Sequence, residues 1–155
     1  MNFSVAVQAQ DFSIADEYEK LLGVGAEKDT AAGAAVFFVG LVRDMNLERE
    51  VVGLRLEHYP GMTEKALLQI IEEARQRWDL HAARIVHRVG DLTLGDQIVY
   101  VGVSSAHRLD AFEACEFLMD YLKTRAPFWK KELTVAGDSV WLESQNKDQK
   151  AAERW

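Results

Sequence analysis

Residues 83–89 read Ala83-Arg84-Ile85-Val86-His87-Arg88-Val89, residues 97–103 read Gln97-Ile98-Val99-Tyr100-Val101-Gly102-Val103, and only Gly90-Asp91-Leu92-Thr93-Leu94-Gly95-Asp96 lies between them. Both runs are short, apolar and rich in β-branched residues, which marks them as strands. No helix separates them, so strands and helices do not alternate here as regular βαβ units. On the N-terminal side, Leu67, Ile70, Ile71, Ala74 and Trp78 fall at offsets 0, 3, 4, 7 and 11, one apolar stripe on a helix that begins at Thr63. On the C-terminal side a second long helix runs over about residues 106–123 and stops before Pro127. On it, Phe112, Cys115, Met119 and Leu122 share a narrow arc at about 100° per residue, which predicts its core face. The pattern predicts an α+β fold, a mixed or antiparallel sheet carrying two long helices.

Further out, Phe3, Val5 and Val7 alternate with smaller or polar residues as a first strand does, and residues 14–22 suit a short helix ended by Gly23 and Gly25. Residues 33–42 form a β-branched and aromatic run that predicts a strand buried on both faces, followed by the polar Arg43-Asp44-Met45-Asn46. Val52, Leu54 and Leu56 alternate in the next strand, which ends at the turn signal His58-Tyr59-Pro60-Gly61. Residues 133–142 suit a hairpin turning at Gly137-Asp138. The polar stretch 145–155 is either helical or ordered only against a partner. Two prolines, no linker and no repeat make residues 1–155 one expected domain, with the tail after about residue 143 left to a possible partner.

Composition narrows the function. With 48% hydrophobic and 28% charged residues the chain has the profile of a soluble globular protein, and 155 residues suffice to bury about two-thirds of the unfolded surface. The net charge of −7 argues against nucleic acid as a general partner. Cys115 is the only cysteine, which excludes an internal disulfide and a four-cysteine metal site and fits a reducing compartment. His58, His81 and His87 lack ligand spacing typical of zinc, so no metal is expected. The N-terminus shows no signal-peptide pattern, and residues 31–42 are too short to span a bilayer of about 30 Å. The expected location is the cytoplasm.

Against this acidic background, residues 121–131 hold four cations, Lys123, Arg125, Lys130 and Lys131, and no acid, interleaved with Tyr121, Phe128 and Trp129. Such a local reversal of sign suits an anionic ligand. It also suits a plain helix C-terminus, where cations meet the negative end of the dipole. Lys123 projects about 40° from Met119 on the helical wheel, at the margin of the apolar stripe, where its stem can be buried. At the other end of that helix, Ser104 or Ser105 can cap while His107 and Arg108 add donors to exposed N–H groups. Arg43 follows the apolar strand directly and either enters a pocket or snorkels to water. Cys115, mid-stripe, reads as a small buried hydrophobe rather than a nucleophile.

Five segments complete the reading: Phe38-Val39-Gly40-Leu41-Val42-Arg43, Leu56-Glu57-His58-Tyr59-Pro60-Gly61-Met62, His87-Arg88-Val89-Gly90, Ser104-Ser105-Ala106-His107-Arg108, and Lys123-Thr124-Arg125-Ala126-Pro127-Phe128-Trp129-Lys130-Lys131. In these segments, in this order, the chain resembles the large catalytic subunits of molybdopterin synthase, the MoaE family. It departs at Asn46-Leu47-Glu48-Arg49-Glu50, where members commonly carry a glycine. The resemblance implies an α/β-hammerhead fold and a sulfurtransferase. Sulfur would pass from the C-terminal Gly-Gly thiocarboxylate of a small ubiquitin-like subunit to cyclic pyranopterin monophosphate, forming the molybdopterin dithiolene of molybdenum cofactor biosynthesis. It also implies a homodimer within a heterotetramer, and no cofactor of the large subunit's own. By position, Lys123 and Lys130 match the family's functional lysines, and Arg43, His107 and Arg108 match residues for the substrate's anionic groups; Lys131 joins the substrate-binding set from the same cation cluster. A different reading is a non-catalytic docking scaffold for a ubiquitin-like protein, with the strip Phe128-Trp129-Lys130-Lys131 as the docking face. A third is a phosphate-binding enzyme unrelated to pterins.

Overall fold

Alternating side chains on a central four-stranded sheet separate two layers of helix. The computed structural model describes residues 2–46, 49–135, 137, 139–142 and 146–155. Its elements run β1 Phe3–Gln8, α1 Ile14–Leu22, β2 Ala34–Leu41, β3 Met45–Asn46, β4 Arg49–His58, α2 Met62–Arg77, β5 Leu80–Arg88, β6 Gly90–Thr93, β7 Gln97–Ser105, α3 Arg108–Arg125, β8 Phe128–Thr134, β9 Ser139–Leu142 and α4 Asn146–Glu153. The first sheet has the order β1-β5-β7-β2, with β1 parallel to β5 and the other pairs antiparallel. In the second, β4 pairs with β3 and β6 and also with β8, and β8 pairs with β9. This is the expected α+β architecture with two long helices and mixed sheets.

Period-two alternation sorts β7. Val99, Val101 and Val103 join the main core with Leu67, Ile70, Ile71 and Ala74 of α2 and with Ala111, Ala114, Cys115, Leu118 and Leu122 of α3. Tyr100 points the other way, into a cluster with Phe12 and Val86 on the α1 side. Its ring lies over Gly102, where an added Cβ would come 2.6 Å from the tyrosine hydroxyl, so only glycine fits. Glu17 of α1 accepts from Arg84 Nε of β5 at 2.7 Å, a buried ion pair that fixes α1 to the sheet.

Several expectations need correction. The run 33–42 is not buried on both faces, because β2 is an edge strand and leaves Phe37, Phe38 and Leu41 exposed. Val52 is exposed too, since a register irregularity between Val51 and Gly53 interrupts the alternation. On α3 the core arc is rotated from the expected one. Alanines 111 and 114 let the helix approach the sheet closely, while Phe112 is 59% exposed. Ser104 and Ser105 do not cap α3: both are buried in β7, whose pairing with β2 and β5 continues to Ser105, and His107 occupies the cap position. The linker 90–96 contributes β6, which pairs with β4.

The C-terminal stretch is a helix seated on the rest of the chain. Trp155 packs edge-on against Trp78 and Phe117, and Arg154 bonds Asp120 at 3.0 Å. Of the atypical loop 46–50, Leu47 and Glu48 lie outside the described residues, as does Asp138 of the expected hairpin turn; Gly137 there has φ +83°. Among the described residues, no helix is long and apolar enough to cross a membrane.

Candidate active site

The end of α3 and the start of β8 build the site together. Ala126 leaves the helix with extended backbone, and Pro127 follows. Thr63, fully buried at the start of α2, donates from Oγ1 to the Pro127 carbonyl at 3.2 Å and accepts from the Tyr59 N–H at 3.0 Å. The turn is therefore tied to α2 just before the strand that carries the cations. Along β8 the register pairs Phe128 with His58, Lys130 with Leu56 and Glu132 with Leu54. Leu56 and Leu54 are core residues, so the even positions of β8 face inward.

The result is a cleft of about 560 Å³, a size suited to a small-molecule substrate. Phe38, Val39, Leu41, Met119 and Leu122 supply apolar wall, and Arg43, His87, Lys123, Lys130, Glu132, Lys147 and Asp148 supply charge and hydrogen-bonding capacity. Arg43 reaches the cleft because Val42 is pinned on both sides of its peptide: its N–H donates to the Asp96 carbonyl at 3.0 Å, and its carbonyl accepts from Gly95 at 2.8 Å.

Lys130 is the most perturbed cation. Burial, then the positive charge of Lys123 and its hydrogen bond to Lys130, pull the amine from 10.5 down to about 7, against the opposing pull of Asp148 and Glu132. An amine poised there can hold or release a proton at neutral pH. His87, 2% exposed, is pushed the same way. Burial outweighs its bond to the Arg88 carbonyl, and with the charges of Lys130, Lys123 and His58 it brings the imidazole to about 3. Cys115, by contrast, is raised to about 12 by burial, with a smaller push from Glu116, which leaves an inert thiol.

Arg43, Lys123 and Lys130 thus meet in one cleft. The other three sequence candidates do not line it. Lys131 is an odd residue of β8, so the pleat turns it outward, where its ammonium lies 5.3 Å over the Trp141 ring. His107 and Arg108 stand at the opposite end of α3 from Lys123. Fifteen residues of helix separate Arg108 from Lys123, which is about 22 Å at 1.5 Å per residue. Sequence reasoning set His87 aside for lacking ligand spacing, and it missed Glu132, Lys147 and Asp148. The alternation Phe128, Lys130, Glu132 could have flagged Glu132; nothing local marks the two α4 residues.

Comparison with known proteins agrees with this geometry. A family described as "MoaE protein" matches residues 7–125, more than half of the chain. The chain belongs to the MoaE family. Its curated relatives include the molybdopterin synthase catalytic subunit of Vibrio cholerae, 61% identical over 155 residues, covering 100% of this chain and 99% of the relative. Another is the molybdopterin synthase catalytic subunit of Escherichia coli, 56% identical over 151 residues and covering 97% of each. Among solved structures, the molybdopterin biosynthesis MoaE protein from Burkholderia ambifaria superposes with a TM-score of 0.82 at 47% identity, covering 98% of this chain and 97% of that one. These MoaE similarities span the whole cleft, including β8 and α4, beyond the residues the family profile matches.

Proposed function

We propose that this chain is the catalytic subunit of a molybdopterin synthase. It takes sulfur from the C-terminal thiocarboxylate of a small ubiquitin-like protein and transfers it, in two successive steps, to cyclic pyranopterin monophosphate, forming the molybdopterin dithiolene. The observation that carries this reading is that Lys123 and Arg43, both partly open to solvent, meet the largely buried Lys130 in one cleft. The substrate bears a phosphate, the donor a thiocarboxylate, and transfer develops further negative charge on oxygen or sulfur. Fixed cations shielded from water stabilise such charge far better than exposed ones. In this assignment Lys123 is catalytic, and Lys130 assists by holding the substrate or the donor's carboxyl end. Arg43 binds the substrate's anionic group.

His107 and Arg108 join the same site only if they come from a second copy, since α3 keeps them about 22 Å from Lys123 in their own chain. Leu109 and Phe112, both well exposed beside them, suit an interface between copies. The working unit is then a dimer of this chain with a small subunit at each end. The outer face of β8, with Trp129 48% exposed and Lys131 over Trp141, favours a docking role for that strip, which fits a partner-binding surface alongside catalysis. A cytoplasmic location fits the one cysteine, buried and unpaired. Mixing the chain with the thiocarboxylated small protein and cyclic pyranopterin monophosphate tests the reading. Dithiolene formed without a third protein supports it, and a stable complex without product leaves only a docking scaffold.

A further inference from the structure

Helix α4, Asn146–Glu153, is eight residues long, and only Ala151 and Ala152 in it are apolar. A helix that short and polar is not stable in water by itself, so its order comes from what it touches. Its side-chain bonds gather just past its C-terminal end. Trp155 Nε1 donates to Asp120 Oδ2 at 2.6 Å, and Arg154 Nη2 donates to the same oxygen at 3.0 Å and also to Glu116 Oε1. From the end of α2, Arg77 Nη1 donates to the Trp155 carbonyl oxygen at 2.8 Å. The indole closes on Trp78 and Phe117, with ring centroids 5.5 and 5.7 Å away. At the other end of α4, about two turns back from Arg154, Lys147 and Asp148 line the cleft with Lys123 and Lys130.

We propose that Asp120 is a positioning residue: by holding Arg154 and Trp155 it latches α4 against α3 and keeps Lys147 and Asp148 in the wall of the cleft. Asp120 suits the part. Its side chain is 15% exposed, so its bonds to the indole and the guanidinium are partly shielded from water, and the anion strengthens both. It stands one turn before Lys123 on α3, so the anchor of the latch and the lysine of the cleft are carried by the same stretch of rigid helix. With α4 seated, Lys147 adds a cation to the cleft for an anionic substrate, and the charge of Asp148 acts on Lys130 from the same wall. The consequence for turnover rests on the synthase reading; the seating of α4 does not.

The test compares Asp120→Ala and Trp155→Ala, which break the latch from its two sides, with Asp120→Asn, which keeps an oxygen for the indole N–H. Hydrogen exchange of residues 146–153 is followed by mass spectrometry on the full chain, with α2 as the internal folding control. Exchange of α4 quickens about tenfold or more in both alanine variants while α2 is unchanged, and Asp120→Asn stays within about threefold of wild type. In the complete assay with the small protein, both alanine variants raise the KM for the pterin substrate about fivefold or more with a smaller change in kcat, and Asp120→Asn returns it to within about twofold. Lys147→Ala raises KM in the wild-type chain but adds less than about twofold in the Trp155→Ala chain, because the cation has already left the wall. Unchanged exchange in both alanine variants overturns the proposal. So does an unchanged KM when α4 is released, or a Lys147→Ala effect that is absent in the wild type or undiminished in Trp155→Ala. If the wild type makes no product while α4 exchange still responds, the synthase reading fails and the latch stands.

Discussion

Replacing Lys130 with methionine should make the protein more stable while damaging its site. The amine is drawn from 10.5 to about 7, chiefly by burial and by Lys123. At about 1.36 kcal/mol per pH unit, the fold opposes the Lys130 charge by on the order of 5 kcal/mol at most. Because the folded value lies below the unfolded one, the unfolded chain binds more protons between pH 7 and 10.5. The cost is therefore fully present below pH 7 and fades as pH rises toward 10.5. Methionine has a similar reach and no charge. Some of the gain is lost because Asp148 and Glu132 lose the cation that partly offsets their own charge, so about 2–3 kcal/mol is expected at pH 6.5. For a chain of this length that raises Tm by about 4–12 °C. Urea unfolding of wild type and Lys130→Met at one protein concentration, at pH 6.5, 8 and 9.5, measures it. A difference that shrinks steadily with pH supports the reasoning; one that is constant with pH, or a variant less stable at pH 6.5, refutes it.

The buried Glu17–Arg84 pair stabilises the fold where the Lys130 charge opposes it, and its effect is lost at the acid end of the pH scale. Burial alone would raise the Glu17 carboxyl, but Arg84 and Lys20 hold it below its ordinary value of 4.5, so its contribution is present above that pH and lost as pH falls through the folded value. Glu17→Gln should cost about 2 kcal/mol in denaturant unfolding at pH 7, and the gap to wild type should close in acid. Arg43→Ala should raise the KM for the pterin substrate by about tenfold or more with a smaller change in kcat, measured by initial rates. Lys123→Ala and Arg108→Ala, each inactive alone, should recover part of the activity when co-expressed, because a mixed dimer would hold one intact site; no recovery argues for sites built within single chains.

Strong periodic signals were legible in the sequence. The stripe of α2 is read correctly from Leu67 to Ala74, and the strand–strand–helix order around β5, β7 and α3 gives the class of fold. The misreadings share a cause: they depend on which neighbour an element meets. Phe112 and Phe37 are apolar and in phase with their elements, yet both stay exposed, Phe112 because alanines take the core of α3 and Phe37 because β2 lies at a sheet edge, where its ring still stacks on Tyr100. Lys123, Lys130 and Arg43 were found by a charge anomaly and by resemblance, and folding brings them together. Lys131 looked equivalent to Lys130 in composition but is separated from it by one step of the pleat. His87 escaped attention because its significance lies in burial and in the Phe128 ring against it, 41 positions away in sequence, which no local pattern announces.

In the proposed function, the cleft between α3 and β8 performs sulfur transfer through Lys123. The most direct measurement follows dithiolene formation from cyclic pyranopterin monophosphate and the thiocarboxylated small protein, with wild type and Lys123→Ala side by side. Far-UV circular dichroism and complex formation serve as folding controls. Product with wild type and a loss of about a hundredfold or more in the variant, about 2.7 kcal/mol of barrier, is the predicted result. A folded, partner-bound Lys123→Ala that turns over at the wild-type rate would contradict it.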